Sequence, residues 1–316
     1  MGESAGHEGE GSSVMRQRLL IGIGVAAAVA VGIGALVFAS QQGLFGGKAQ
    51  QLLSQAARAQ QQDNLSEAQA RLEELVATFP DSPLADDALL KLGEVYEAQQ
   101  QLVEARAMYR MLLDRFPESP LLAKTQQRLG DLNVALLFSP IVTELDAVHQ
   151  VKPGDTLGRI AQSNGTTVEF IKRANGLKND VIRPDQKLKV PKGRFGIVVD
   201  KSQNQLLLTE NNQFIKTYPV ATGKDNSTPV GTFKIVTRLP NPVWYTQGAV
   251  VPPDSPENIL GTRWLGIDKQ GYGIHGSVDP SAIGQHVTAG CVRMTNTDVE
   301  ELFDIVPIGT EVTIVD

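Results

Sequence analysis

The sequence of 316 residues contains a single cysteine, Cys291, and has no excess of positive charge. One cysteine excludes an intramolecular disulfide framework and a zinc cluster built on cysteines. Cys291 is therefore a core residue, a free thiol with chemistry, or an intermolecular link. The net charge of −6 gives no general case for nucleic-acid binding. The length allows two or three modules, and we predict neither a metal site nor a cofactor.

Residues 19–39 form an apolar run that contains no charged residue. At about 1.5 Å of rise per residue, this run matches a bilayer core of roughly 30 Å. Arg16 and Arg18 precede it, which favours a cytoplasmic tail over residues 1–18 and an extracytoplasmic chain beyond. We therefore predict a single-pass anchor in the inner membrane, with the catalytic part in the periplasm. Cleavage after Ala39 and a buried helix are the alternatives.

Residues 48–138 contain an internal repeat with an offset of 37 residues. Segments 64–93 and 101–130 align, and both break helical periodicity at Phe-Pro-(Asp/Glu)-Ser-Pro. Ser82 and Ser119 are candidate caps for the helices that follow the breaks. The pattern resembles tetratricopeptide repeats, which implies a short α-helical solenoid. Such a solenoid is either a docking groove for a protein partner or a rigid spacer.

Residues 148–192 resemble a LysM module over their whole length. The matching landmarks are Val151–Leu157, Ile160-Ala161, Ile171, Asn175–Leu177 and Ile182–Pro191. Asp155 or Thr156, and then Thr167, are placed to cap two short helices between two strands. The resemblance implies a βααβ fold that binds N-acetylglucosamine-containing glycan and acts as a tethered binder of peptidoglycan. A LysM fold kept only as a spacer is the alternative.

From Arg194 onward the apolar pattern changes to period two. Strands are predicted at Gly196–Asp200, Gln205–Thr209, Phe214–Ala221, Phe233–Val236, Trp264–Ile267 and Glu311–Val315. Helical periodicity is nearly confined to Asn296–Ile305. The predicted fold class is therefore multidomain: a transmembrane helix, an α-helical solenoid, a small LysM module and a mainly-β domain over residues 194–316.

His275 and Cys291 lie 16 residues apart in the segment that carries the candidate chemistry. A free thiol has a pKa of about 8.5, so a nearby imidazole should accept its proton to make it a nucleophile at neutral pH. A third group should hold the imidazole by accepting its other N–H, and no Asp or Asn is an obvious candidate. Gly290 lets the backbone approach closely and frees amides to face a developing oxyanion.

The C-terminal segment resembles the catalytic domain of the YkuD-type L,D-transpeptidases. The landmarks are Ala221–Lys224, Thr228–Phe233, Ile274–Ser277 and Thr288–Met294. The resemblance implies that Cys291 attacks the third residue of a peptidoglycan stem tetrapeptide and releases D-alanine. The acyl group then passes to an amine of another stem peptide or of an envelope protein. It also implies that His275 is the base and that the carbonyl of Gly276 orients it.

Further roles follow from the same resemblance. The amides of Gly290 and Cys291 would form the oxyanion site. Arg293 would bind a substrate carboxylate or brace the loop, with a surface ion pair as the alternative. Thr288 would support the loop, and Ser277 is a candidate substrate-binding residue.

Three neighbouring residues are less tightly defined by the motif. Tyr272 would line the cleft or simply pack. Many members of the family have histidine where this chain has Ala289, which we interpret as a shift in substrate handling rather than a loss of activity. His286 is predicted to be a surface residue.

Two other functions remain open. An L,D-carboxypeptidase or a cross-link hydrolase would use the same nucleophile with water as acceptor. A peptidoglycan-binding scaffold with a degenerate catalytic domain belongs to a different class, and the intact His275 and Cys291 argue against it.

Overall fold

The computed structural model describes residues 47–246 and 248–316, and the elements below lie in a compact unit from Leu52 to Asp316. The predicted tail over residues 1–18 and the predicted anchor over residues 19–39 lie outside the described residues. In the ranges that are described, no helix combines the length and the apolar character needed to cross a membrane.

The repeat region is helical throughout. Its helices are α1 (47–61, of which 52–61 lie in this unit), α2 (Leu65–Thr78), α3 (Ala85–Ala98), α4 (Leu102–Arg115) and α5 (Leu122–Leu137). Gly93 of α3 packs against the ring of Tyr109 of α4, and a Cβ at position 93 would come within 2.3 Å of that ring. Ser82 does not cap α3 as predicted, because that helix begins at Ala85. Its Oγ instead accepts the Leu84 N–H at 3.2 Å and stabilises the preceding turn.

The LysM module has the predicted βααβ order. Its elements are β1 (Asp146–Gln150), α6 (Leu157–Ser163), α7 (Val168–Ala174) and β2 (Lys187–Pro191). The predicted caps are confirmed, and Thr156 rather than Asp155 caps the first helix. Thr156 accepts the Arg159 amide, and Thr167 accepts the Phe170 amide.

The C-terminal domain is built on an eight-stranded sheet. Its longer strands are β3 (Phe195–Asp200), β4 (Gln205–Glu210), β5 (Gln213–Pro219), β7 (Gly231–Pro240), β10 (Arg263–Ile267) and β14 (Glu311–Val315). The shorter ones are β11 (Gly273–His275) and β13 (Val292–Arg293), and the order across the sheet is β13-β11-β10-β7-β14-β3-β4-β5. Two further pairs lie outside this sheet: β6 (Thr222–Gly223) with β12 (His286–Thr288), and β8 (Trp244–Thr246) with β9 (Ala249–Val251). One helix, α8 (Asn296–Ile305), covers the sheet near β10 and β11 and has its predicted bounds.

One hydrophobic core extends across all three modules. Val134 and Leu137 of α5 and Phe170 of α7 are buried together with the strands of the sheet and α8. Arg173 of the LysM module forms an ion pair of 2.7 Å with Asp304 at the end of α8. The LysM module therefore packs directly on the C-terminal domain, because one of its helices shares the core of that domain.

Helix α5 also lies along β5, the last strand of the sheet. Asn133 Nδ2 donates to the carbonyl oxygen of Ile215 at 2.9 Å, and Lys216 forms an ion pair of 2.9 Å with Asp131. Gly130 lies against Lys216, where a Cβ would come within 3.1 Å of Cγ. The repeat thus covers a strand edge that would otherwise expose unpaired backbone groups.

Candidate active site

His275 and the cysteine loop belong to two neighbouring strands of the sheet. Strands β11 and β13 run parallel, and His275 is the register partner of Arg293. Cys291 directly precedes β13, and its Sγ lies 3.6 Å from the carbonyl oxygen of Gly271, just before β11. Arg293 lies close enough to influence the pKa of both His275 and Cys291. Two residues that are 16 apart in sequence therefore both lie within reach of the Arg293 charge.

The imidazole of His275 is held by a backbone carbonyl. Its side chain is 2% exposed, and its Nδ1 lies 2.7 Å from the carbonyl oxygen of Gly276. A carbonyl only accepts, so Nδ1 carries the proton and Nε2 keeps its lone pair in the neutral ring. Burial lowers the pKa of His275 to about 4, and the positive charge of Arg293 adds to that effect. The ring is thus neutral at physiological pH and able to accept a proton at Nε2.

The thiol of Cys291 is half-buried and protonated at rest. Burial raises the pKa of Cys291, while a hydrogen bond with the backbone of Gly273 and the charge of Arg293 lower it in part. The raised pKa of the thiol and the lowered pKa of the imidazole describe two uncharged groups rather than a preformed ion pair. Such a pair suits proton transfer in step with nucleophilic attack.

The loop before Cys291 is shaped by Thr288 and Gly290. Thr288 Oγ1 donates to the carbonyl oxygen of Cys291 at 2.6 Å and accepts the Gly290 N–H at 3.2 Å. Gly290 has a φ of 133°, and a Cβ there would lie 2.7 Å from the Tyr272 ring and 3.1 Å from the Ser227 carbonyl oxygen. Both the conformation and the lack of space require glycine.

Of the two amides predicted to face an oxyanion, one is already used in a hydrogen bond and the other, within the described residues, is free to donate. The Gly290 N–H is already donated to Thr288 Oγ1. The Cys291 N–H has no acceptor among the residues that the structure describes. An oxyanion site in this conformation would therefore rest on the Cys291 amide, and Gly290 would contribute through its backbone conformation.

Arg293 is fixed by its backbone, and its side chain has no partner in the part of the chain that the structure describes. Its N–H and carbonyl both pair with Ala221 at 2.8 Å. Its Nε is buried without a hydrogen-bond partner, and no carboxylate within residues 47–246 and 248–316 forms an ion pair with it. The alternative of a surface ion pair is therefore not found in this part of the chain. An unpaired guanidinium beside the candidate nucleophile suits a ligand carboxylate.

The other predicted residues have mainly local partners. Tyr272 is partly buried and packs on the core as well as on Gly290. Ser277 is buried, and its Oγ donates to the carbonyl oxygen of Asp279 at 2.7 Å and accepts the Asp279 N–H at 3.0 Å. This hydroxyl is used within a turn, which leaves little of it for a substrate. His286 is exposed, as predicted, and its Nδ1 lies 2.8 Å from Thr222 Oγ1.

Asn296 is a site residue that sequence reasoning missed. Its Oδ1 accepts the Thr262 N–H at 3.1 Å and the Ser277 N–H at 3.2 Å, so it joins two loops. A Cβ on Gly276 would lie 2.2 Å from the same oxygen. Asn296 therefore fixes the backbone whose carbonyl holds His275. The sequence signal was weak, because an Asn at the start of a helix is ordinary and Thr295 is the helix cap.

Family profiles match three parts of the chain. The L,D-transpeptidase catalytic domain matches residues 194–314, the LysM domain matches residues 149–191, and the tetratricopeptide repeat matches residues 53–120. These matches confirm the three resemblances noted in the sequence.

Two curated relatives align with about half of this chain. One, from Bacillus licheniformis and provisionally named L,D-transpeptidase YkuD, is 41% identical over 53% of this chain and 98% of its own length. Its counterpart from Bacillus subtilis is 38% identical over 52% of this chain and 97% of its own length. Among solved structures, an L,D-transpeptidase from Mycobacterium smegmatis aligns with a TM-score of 0.34 at 19% identity, over 42% of this chain and 64% of its own.

Proposed function

This chain belongs to the YkuD-type L,D-transpeptidase family of cysteine-dependent acyltransferases, and from that premise we propose the roles of its residues. Cys291 is the nucleophile and His275 is its base. The carbonyl of Gly276 orients the base, and Arg293 binds a carboxylate of the substrate. The observation that carries the proposal is the neutral imidazole, held at Nδ1 with Nε2 left as an acceptor, on the strand that pairs with the one that Cys291 precedes.

In the first half of the reaction, His275 Nε2 takes the Cys291 proton as the sulfur attacks the carbonyl carbon of the third stem residue. The Cys291 N–H stabilises the charge that develops on the carbonyl oxygen. The carbon–nitrogen bond to the terminal D-alanine then breaks. The departing amine takes the proton from the imidazolium, and a thioester remains on Cys291.

In the second half, an amine attacks the thioester carbonyl. His275 accepts a proton from that amine and returns it to the departing sulfur, so the free thiol is restored. With an amine of another stem peptide as acceptor, the product is a cross-link between two peptides. An envelope-protein lysine or water would give a protein linkage or a shortened peptide through the same thioester.

We place the enzyme at the cell wall. The LysM domain supports contact with N-acetylglucosamine-containing glycan. Residues 19–39 would anchor the chain in the inner membrane and leave the catalytic part in the periplasm. We also propose that a protein partner binds the helical repeats, on the exposed faces of α1 to α4.

The roles of Cys291 and His275 are tested with purified disaccharide-tetrapeptide and the full chain. Mass spectrometry should find a dimer and released D-alanine with the wild type and neither with Cys291→Ala. His275→Gln should lower the rate by about 10²–10⁴. Wild-type turnover in Cys291→Ala would refute the assignment of the nucleophile.

The same assay separates the alternative functions. Tripeptide without dimer indicates carboxypeptidase activity, and breakdown of an added dimer indicates a hydrolase. A carbapenem adduct on Cys291 that is lost in His275→Gln supports the base. A wild-type protein that binds peptidoglycan but neither turns over tetrapeptide nor forms an adduct would be a scaffold.

A further inference from the structure

Trp264 lies against the proposed base. Trp264 on β10 is the direct register partner of His275 on β11 in an antiparallel pair. The two rings stack with centroids 5.9 Å apart and planes inclined by 22°. The sequence did not predict a role for Trp264, because it lies in a segment whose period-two pattern indicates only a strand.

Two glycines make room for the indole. Gly266 and Gly273 are register partners two residues further along the same strands, on the face that carries Trp264 and His275. A Cβ on Gly266 would lie 2.7 Å from Trp264 Nε1. A Cβ on Gly273 would lie 2.7 Å from Trp264 Cζ2 and equally close to the Leu265 carbonyl oxygen. The indole therefore lies over two glycines, and any larger residue at position 266 or 273 would displace it.

We propose that Trp264, seated on Gly266 and Gly273, is a positioning residue that fixes the plane of His275 and shields its ring from water. This inference rests on the proposed function, in which His275 is the base. The stacked indole covers one face of the imidazole, and the carbonyl of Gly276 holds its Nδ1 edge. The ring can then present only Nε2 to a reacting group.

The electrostatics agree with shielding. Burial is the main cause that lowers the pKa of His275, and the charged group whose field reaches the ring is Arg293 on β13. The Gly276 carbonyl opposes the lowering. Cys291, just before β13, is the other titratable group on these two strands, and β10 contributes the uncharged Trp264. An aromatic face attracts an imidazolium, so the exclusion of water must outweigh that attraction here.

The contact between the rings is tested by fluorescence on the full chain. The sequence has two tryptophans, so Trp244→Phe leaves Trp264 as the only one. An imidazolium in contact with an indole quenches its emission, whereas a neutral imidazole does so weakly. The emission of Trp244→Phe should fall with a midpoint near pH 4, and His275→Gln should abolish that transition. Emission that does not titrate, or a transition that survives His275→Gln, would overturn the proposal.

The positioning role is tested by the pH dependence of kcat/KM in the Trp244→Phe background. Trp264→Ala should raise the pKa of the acid limb by about one unit or more and lower kcat by about tenfold, since water reaches the ring. Trp264→Phe should restore most of both, and Gly266→Ala should resemble Trp264→Ala. A loss of rate with an unmoved acid limb would mean that Trp264 only packs.

Failure of this inference differs from failure of the proposed function. If His275 is not the base, wild type and His275→Gln will react equally with a carbapenem, whatever the fluorescence does. If only the role of Trp264 is wrong, that reaction will still depend on His275 while Trp264→Ala keeps the wild-type acid limb.

Discussion

Two buried groups should make the stability of this protein depend on pH in opposite directions. Burial lowers the pKa of His275 from 6.5 to about 4 and raises the pKa of Glu210 from 4.5 to about 7. Between pH 6.5 and 4 the unfolded chain binds a proton at His275 and the folded chain does not, so His275 lowers stability as pH falls. Between pH 4.5 and 7 the folded chain holds a proton on Glu210 that the unfolded chain has lost, so Glu210 lowers stability as pH rises through this window.

The magnitudes follow from the shifts. One pKa unit corresponds to about 1.4 kcal/mol, so each group contributes on the order of 3 kcal/mol across its window. Both side chains are almost fully buried, so solvent screening reduces these values little. In the wild type the two contributions largely cancel where the windows overlap. Single substitutions should therefore reveal a dependence that the wild type conceals.

The assay is urea unfolding followed by far-UV circular dichroism across both windows, for wild type, His275→Gln and Glu210→Gln. The free energy of unfolding of His275→Gln relative to wild type should rise as pH falls from 6.5 to 4. The relative value of Glu210→Gln should rise as pH increases from 4.5 to 7. Differences between variants cancel the titration of distant groups. Curves that stay parallel to the wild type would refute the assigned shifts.

Three further results are expected. Gly290→Ala should lower kcat/KM by about 10² or more, because the added Cβ would meet the Tyr272 ring. Gly284→Ala is the matched control: Gly284 also has a positive φ, of 86°, but a Cβ there meets no atom, so turnover should stay near the wild-type value, and equal losses would contradict this reason. Asn296→Leu should lower kcat by about tenfold while Asn296→Asp, which keeps an acceptor, loses less, so equal losses would exclude the acceptor role. Asn133→Leu should cost about 1–3 kcal/mol in thermal unfolding, because a carbonyl of β5 loses its donor, and an unchanged melting temperature would disprove that.

The packing of the modules changes what the LysM domain contributes. A tethered binder raises the local concentration of substrate and leaves orientation free. Here Phe170 lies in the core of the C-terminal domain, and Arg173 is paired with Asp304. The module therefore adopts a defined position relative to the catalytic strands. Any glycan that it holds would be presented in a restricted direction.

The sequence by itself determined the local elements of this fold. Thr156 and Thr167 cap the two LysM helices, and α8 has its predicted bounds, because caps and periodicity depend on neighbours within a few residues. The family motif likewise identified His275 and Cys291 from contiguous residues.

Tertiary structure alone decided how those elements meet. The stacking of Trp264 on His275 depends on strand register, and the shared core depends on which helix faces cover the sheet. The role of Asn296 depends on two loops that lie far from it in sequence. The use of Ser277 within a turn was likewise hidden, since a motif does not show where a hydroxyl points. Contacts between distant segments are set by register and burial, for which a local pattern carries no signal.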